Sequence, residues 1–113
     1  MPQPSRGEVW LVNLNLTRGH EQAGKQPGLI ISADLFNSGP AGLVVIAPIT
    51  TKERGIPFHV EIQPPEGGLR KKSFIKCEDI RSVAKERLFQ RLGVVSPATV
   101  SEVEDRLRIL LDL

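Results

Sequence analysis

The 113-residue sequence predicts a mainly β fold with a C-terminal α-helix, of the α+β class. Five to seven short strands form a strongly bent antiparallel sheet or partly open barrel, and the helix closes it. Three observations predict this. Apolar residues alternate at period two in short runs between residues 7 and 95, the pattern of half-buried strands. Clusters of Gly, Pro, Asn and Ser separate the runs, too closely for crossover helices. Only residues 97–112 carry apolar positions at helical spacing. A chain of this length fits one domain, residues 1–113.

Taken in order, residues 7–16 put Glu8, Trp10, Val12, Leu14 and Leu16 on one face. Val9, Leu11, Asn13 and Asn15 form the other, half-polar face of a first strand. Residues 17–28 contain Gly19, Gly24, Pro27 and Gly28 and read as a loop. Its length suits a functional loop. Leu29–Ser32 is a short apolar strand, and Ser32 reads as the N-cap of a helical turn over 33–36. Gly42–Ile49 is the most apolar stretch and predicts a central strand whose ladder Pro48 interrupts. Thr50–Gly55 is a net-basic turn. Phe58, Val60 and Ile62 alternate with His59, Glu61 and Gln63, a half-exposed strand with His59 on its outer side. A turn at Pro64–Gly68 and the basic run Arg70-Lys71-Lys72 follow. Short strands are predicted at Ser73–Cys77 and Asp79–Val83, and a weaker one at Leu88–Val95. Ser96 and Pro97 fit the N-cap and first position of the helix. Val100, Val103, Leu107 and Leu110 form its core stripe. Ile109, Leu111 and Leu113 make a second apolar side, which predicts a partner subunit.

Composition bounds the function. A net charge of +2 does not by itself announce a nucleic-acid binder. The single cysteine, Cys77, makes no internal disulfide and rules out a cysteine-based zinc or iron–sulfur site. No apolar run approaches the ~18 residues of a membrane span. The polar start Met-Pro-Gln-Pro-Ser-Arg lacks the apolar stretch of a signal peptide. A cytoplasmic protein without membrane contact is expected. The mean charge conceals an asymmetry, however. Residues 52–91 are net +4 and residues 92–113 are net −2. Lys52 and Arg54 lie in one turn and Arg70–Lys72 in another. If these turns converge with Lys25 they make a phosphate-binding groove, which needs local rather than overall charge. Alternatively, the basic residues merely solvate hairpin turns.

Single residues are weak signals. His20 and His59 suggest an acid–base pair, but nothing in their spacing brings them together, and surface histidines are the plainer reading. Cys77 ends an apolar segment and reads as a buried filler rather than a nucleophile. Thr50 and Thr51 open a basic turn, where a hydroxyl can donate to a phosphate or satisfy its own turn backbone. Glu21, in the Gly-rich loop, is equally ambiguous.

Taken together, the motifs resemble one family. They run Arg6-Gly7-Glu8-Val9-Trp10, Gly19-His20-Glu21-Gln22-Ala23-Gly24, Pro27 before an apolar strand, Asn37 after it, Pro48-Ile49-Thr50-Thr51, Gly55 and Pro57-Phe58-His59-Val60. The order is similar to that of the MazF/PemK toxins of bacterial toxin–antitoxin systems, over roughly residues 5–110. The resemblance implies a small SH3-like barrel of the CcdB/MazF kind. It implies a homodimer, neutralised by a cognate antitoxin whose tail enters the RNA groove. It also implies cleavage of single-stranded RNA at short sequences with no metal or other cofactor. The 2′-hydroxyl attacks the adjacent phosphate, leaving a 2′,3′-cyclic phosphate and a 5′-hydroxyl.

Carried over residue by residue, the catalytic threonine is Thr50 and the supporting glutamate is Glu21. The family's arginine before the loop proline is here Gln26. Lys25, Thr51, Lys52 and Arg54 are the candidate RNA contacts. Arginine brings a fixed charge and five donors, whereas glutamine brings two neutral ones. The departure implies weakened catalysis. Three accounts of it stand: an inactivated variant, a natural weakened paralogue, or a cation supplied by Lys25. Two other functional readings accompany the nuclease. One is a non-catalytic antitoxin- or RNA-binding paralogue. The other is a CcdB-like topoisomerase inhibitor, which would share the barrel without needing Thr50.

Overall fold

The computed structural model describes residues 3–14 and 24–113. Seven strands and two helices appear in the order β1 (Glu8–Asn13), β2 (Lys25–Ile30), α1 (Asp34–Asn37), β3 (Leu43–Thr50), β4 (His59–Ile62), β5 (Ser73–Lys76), β6 (Arg81–Ala84), β7 (Leu88–Val94) and α2 (Pro97–Leu111). The strand order is β4-β5-β3-β2-β1-β7, with β6 also on β3. Every pairing is antiparallel. Among the described residues no helix is long and apolar enough to cross a membrane.

β3 is the hub. One side pairs with β2, from Ile46 to Pro48. The other pairs with β6 over Leu43–Ile46 and then with β5 at Ile49 and Thr50. Pro48 lies where that second partner changes, so its missing N–H interrupts no continuous ladder. The strand is buried from Ile46 through Ile49, as its unbroken apolar run requires. Two apolar clusters occupy the two faces of the bent sheet. Trp10, Val12, Ile30, Val44, Ile46 and Leu88 belong to one. Val9, Leu29, Ala47, Ile75, Cys77 and Val103 belong to the other, where α2 packs through Val100, Val103 and Leu107. Burial on both faces explains why Val9 and Trp10 are both buried despite their alternation.

The structure corrects several sequence expectations. The stretch read as a loop to residue 28 becomes strand at Lys25. Pro27 stands opposite Leu11, and Gly28 stands opposite both Trp10 and Pro48. Gly28 is needed for close packing: a Cβ there would lie 3.0 Å from Ile46 Cδ1 and 3.4 Å from Val12 Cγ2. Ser32 is not an N-cap. Ala33 occupies that position without a side-chain bond, while the Ser32 hydroxyl bonds Asn37 Oδ1 and accepts from the Val45 amide at 2.9 Å. The strand expected from Asp79 begins at Arg81, because Cys77–Asp79 forms a 3-10 turn. β7, the weakest strand in the sequence, pairs with β1 along its length, from Glu8↔Val94 to Val12↔Leu88. Two register shifts in that ladder break the period-two pattern that would have announced it.

α2 starts as the sequence predicts. Ser96 Oγ accepts from the Thr99 amide at 3.2 Å, and Pro97 opens the helix. Glu66 adds a cap from a distant turn. Its Oε2 accepts from the Ser96 amide at 3.0 Å and from the Thr99 hydroxyl. The turn carrying Glu66 packs backbone to backbone on β7. A Cβ on Gly68, whose φ is +73°, would stand 2.0 Å from the Leu92 carbonyl oxygen.

Candidate functional site

The start of β2 and the end of β3 meet at one open end of the sheet. Their register runs Ile30↔Ile46, Leu29↔Ala47, Gly28↔Pro48. Continuing it by two residues sets Gln26 across from Thr50. Directly opposed residues in an antiparallel pair share a face, so these two side chains stand together. The hydrogen-bonded ladder stops short of them because Pro27 carries no amide hydrogen for a rung to Ile49. Both residues are half-buried. On its other side Thr50 faces Phe74 of β5. The Thr50 hydroxyl oxygen accepts from the Lys52 amide at 3.1 Å. A hydroxyl that accepts in this way can still donate its own hydrogen.

The two basic turns converge beside Thr50. Lys72 Nζ lies 3.4 Å from Glu53 Oε1 and 3.9 Å from Glu61 Oε2, and 5.7 Å from the centre of the Phe74 ring. This pair ties the 70–72 run to the 51–55 turn. Thr51, Lys52 and Arg54 are exposed. Elsewhere on the molecule most cations are matched by carboxylates: Arg6 with Glu104, Arg81 and Lys76 with Asp79, Arg91 with Glu8, and Arg106 with Glu102 and Asp105. Among the described residues, no ion pair engages Lys52, Arg54, Arg70 or Lys71. Among the described residues, these four cations around the Thr50 edge therefore have no carboxylate partner, while Lys72 has two.

Lys25 follows a different course. It stands opposite Asn13 of β1, and its neighbour Gln26 stands opposite Val12, so the two point to opposite faces of β2. Lys25 Nζ sits 3.7 Å above the centre of the Phe89 ring on β7. Sequence reading passed over Phe89. Its signal was a large apolar residue next to Leu88, whose burial forces Phe89 onto the open face. Glu21 and His20 lie outside the described residues.

His59 is not a surface histidine. Its side chain is only 3% exposed, with Nε2 2.9 Å from Glu78 Oε2 and Nδ1 buried without a partner among the described residues. The cause is the segment after β5, which folds over the β4 edge as the Cys77 amide bonds the Phe58 carbonyl at 3.3 Å. It lies on β4, beyond β5 from the Gln26–Thr50 pair. Cys77 is fully buried. Burial, then the neighbouring Glu78 charge, pushes its thiol up to about 11, so it stays protonated and inert at neutral pH.

The architecture defines a class: a small barrel-like β domain, closed by a C-terminal helix, with a cationic polar edge at the end of its central strand. The chain belongs to the family of PemK-like, MazF-like toxins of type II toxin–antitoxin systems, whose model matches residues 5–111. It is 33% identical to the endoribonuclease MazF9 of Mycobacterium tuberculosis over 113 residues, covering 96% of each chain. It is also similar to a mycobacterial endoribonuclease solved in complex with its cognate antitoxin. That match has a TM-score of 0.80 and 28% identity, and covers 100% of this chain and 97% of the other. MazF of Deinococcus radiodurans matches with a TM-score of 0.82 and 27% identity over 100% of both chains. The family and the fold expected from the sequence are thus both borne out.

Proposed function

We propose that this protein is a toxin endoribonuclease that cleaves single-stranded RNA at a short sequence, without a metal. A cognate antitoxin neutralises it. The observation that supports the reading is the β2–β3 register, which ends at Gly28↔Pro48 and, continued by two residues, sets Gln26 across from Thr50, next to Lys52 and Arg54, which make no ion pair among the described residues. The Thr50 hydroxyl and the Gln26 carboxamide donate to the non-bridging oxygens of one phosphodiester. Thr51, Lys52 and Arg54 hold the flanking phosphates on one side, and Lys25 does so on the other face of β2. Glu21, by the family resemblance, is proposed to support the catalytic pair. In the reaction the ribose 2′-oxygen bonds to phosphorus, and the P–O5′ bond breaks. The 2′-hydroxyl proton is lost and O5′ gains one, giving a 2′,3′-cyclic phosphate and a 5′-hydroxyl.

Gln26 sets the rate of this chain. Charge develops on the phosphorane oxygens, where a fixed guanidinium stabilises more than a neutral amide. Gln26→Arg is expected to raise cleavage by about 10²–10³-fold, measured by mapping ends on long single-stranded RNA. Absence of discrete cuts from both forms would remove the nuclease reading. The Gln26 departure also favours a second reading, a paralogue that binds RNA or antitoxin without cutting. Salt-dependent RNA binding with no cleavage after Gln26→Arg supports that one.

The working unit is proposed to be a cytoplasmic homodimer. Leu35 and Phe36 of α1, and Ile109, Leu111 and Leu113 at the chain's end, are exposed apolar residues. Arg6 joins the two regions, with its amide on Asp34 Oδ1 at 2.7 Å and its guanidinium on Glu104 at 2.8 Å. Leu111→Lys is expected to halve the mass in solution, and sedimentation at an unchanged mass contradicts this contact.

A further inference from the structure

We propose that Phe89 is a stacking platform for a nucleobase of the bound RNA, one flanking the scissile phosphodiester. Lys25 contacts the phosphate of that same nucleotide. The inference rests on the nuclease reading and extends its binding site to the opposite face of β2.

The argument starts from strand parity. Gln26 and Lys25 are consecutive in an extended strand, so the end of β2 presents the Gln26–Thr50 pair on one face and Lys25 on the other. Behind Lys25, across β1, stands Phe89, with 59% of its surface exposed. The Lys25 ammonium, 3.7 Å from the ring centre, covers one side of the ring, and the exposed remainder is open to a ligand. Arg87 adds a second cation at this end, its Nη1 donating to the Asn13 carbonyl at 3.2 Å. No carboxylate is paired with Lys25 or Arg87 among the described residues. The patch thus combines an aromatic face with two cations that have no carboxylate partner among the described residues.

A nucleotide supplies both complements, a π-faced base and a phosphate. Base-on-aromatic stacking beside a cationic backbone track is the common chemistry of single-strand binding and tolerates any base. An acidic peptide would satisfy the cations but leave the ring face without a planar partner.

The test uses Phe89→Trp as a reporter. The chain's one tryptophan, Trp10, is buried and serves as a constant background. The probe is a mixed-sequence 2′-O-methyl RNA pool, which cannot undergo 2′-hydroxyl attack. Binding is expected to quench the emission of the Phe89→Trp protein. Phe89→Ala is expected to weaken binding about 5- to 100-fold, with an unchanged thermal midpoint because the side chain is exposed. Native affinity in Phe89→Ala together with no quench in Phe89→Trp overturns the proposal. The nuclease reading survives that result if Gln26→Arg still makes discrete cuts. Quenching by an acidic peptide but not by the RNA pool also overturns it. Failure of the unaltered protein to bind the pool, with no cuts from Gln26→Arg, removes both readings.

Discussion

Two ends of this small sheet are built on opposite terms. At the α2 corner, polar groups are closed onto one another. Glu66 caps Ser96 and Thr99, Ser96 caps Thr99, and the turn bearing Glu66 lies on the β7 backbone with no side chain between them. At the Thr50 edge the reverse holds. Among the described residues Lys52, Arg54, Arg70 and Lys71 have no carboxylate partner, the Thr50 hydroxyl accepts from the Lys52 amide, and the β2–β3 register, continued by two residues, sets Gln26 across from it. The corner fixes the fold and the edge is left to be satisfied by something else. Unmatched charge lowers stability through self-repulsion, so its concentration at one edge signals a ligand more clearly than the total of +2 does.

The largest effect is expected where the closed corner has no room. Gly68→Ala combines a left-handed φ of +73° with a Cβ 2.0 Å from the Leu92 carbonyl oxygen. The turn must leave β7, and Glu66 leaves the α2 N-terminus with it. A loss of about 4 kcal/mol or more is expected, read by chemical denaturation. A loss below about 1 kcal/mol would mean that the corner yields easily, and the contrast between the two ends would weaken.

This division also explains what the sequence disclosed. The α2 cap was legible because Ser96, Pro97 and Thr99 act within one helical turn. The core strand β3 was legible because burial on both faces leaves a continuous apolar run. The Glu66 cap was not, since its partner lies some thirty residues away and nothing local marks it. The first four residues of β2 read as loop in the sequence because Pro27 and Gly28 are usually turn residues, while Leu29 and Ile30 read as strand. Here Gly28 is demanded by Ile46 and Val12 on neighbouring strands. Once residues 25–30 are strand, the sequence places Gln26 and Lys25 on opposite faces and brings Gln26 to Thr50. His59 was misassigned for the same kind of reason, because the segment that buries it belongs to a different part of the chain.

A smaller effect tests the corner by acid. Burial alone would push the Glu66 carboxyl up, but the hydrogen bonds from Thr99 and Ser96 together outweigh it and hold it below the ordinary value of 4.5. Glu8 behaves alike, with burial opposed by bonds from the Ser5 amide, Trp10 and Arg91. A carboxyl whose folded pKa is depressed contributes its stability fully above the unfolded value. It loses that contribution as pH falls through the folded one. The thermal midpoint should therefore drop as pH goes below 4.5 toward the lowered folded values. Glu66→Gln should cost about 1–2 kcal/mol at neutral pH and show a shallower acid limb than the unaltered protein. An identical acid limb in both would show that Glu66 is not a determinant of this corner.

The smallest effect on the folded protein, and the sharpest test of the open edge, comes from removing its charge. Lys52 and Arg54 are exposed and make no ion pair among the described residues. Replacing both with alanine should leave stability within about 0.5 kcal/mol. If the edge carries RNA phosphates, each cation lost returns its counterions to the strand. The slope of log affinity against log salt should then shrink by about 1.4 for the pair, at roughly 0.7 per contact on single-stranded nucleic acid. Arg108, also exposed but paired with Glu104 at 4.0 Å on α2, serves as the control. Arg108→Ala removes one formal charge, half that of the pair, from α2 and should leave the slope unchanged. A slope change of about 0.7 from Arg108→Ala, equal per charge to that of the pair, would mean that RNA responds to net charge alone. The concentration of unmatched cations beside Thr50 would then have no bearing on where the strand lies.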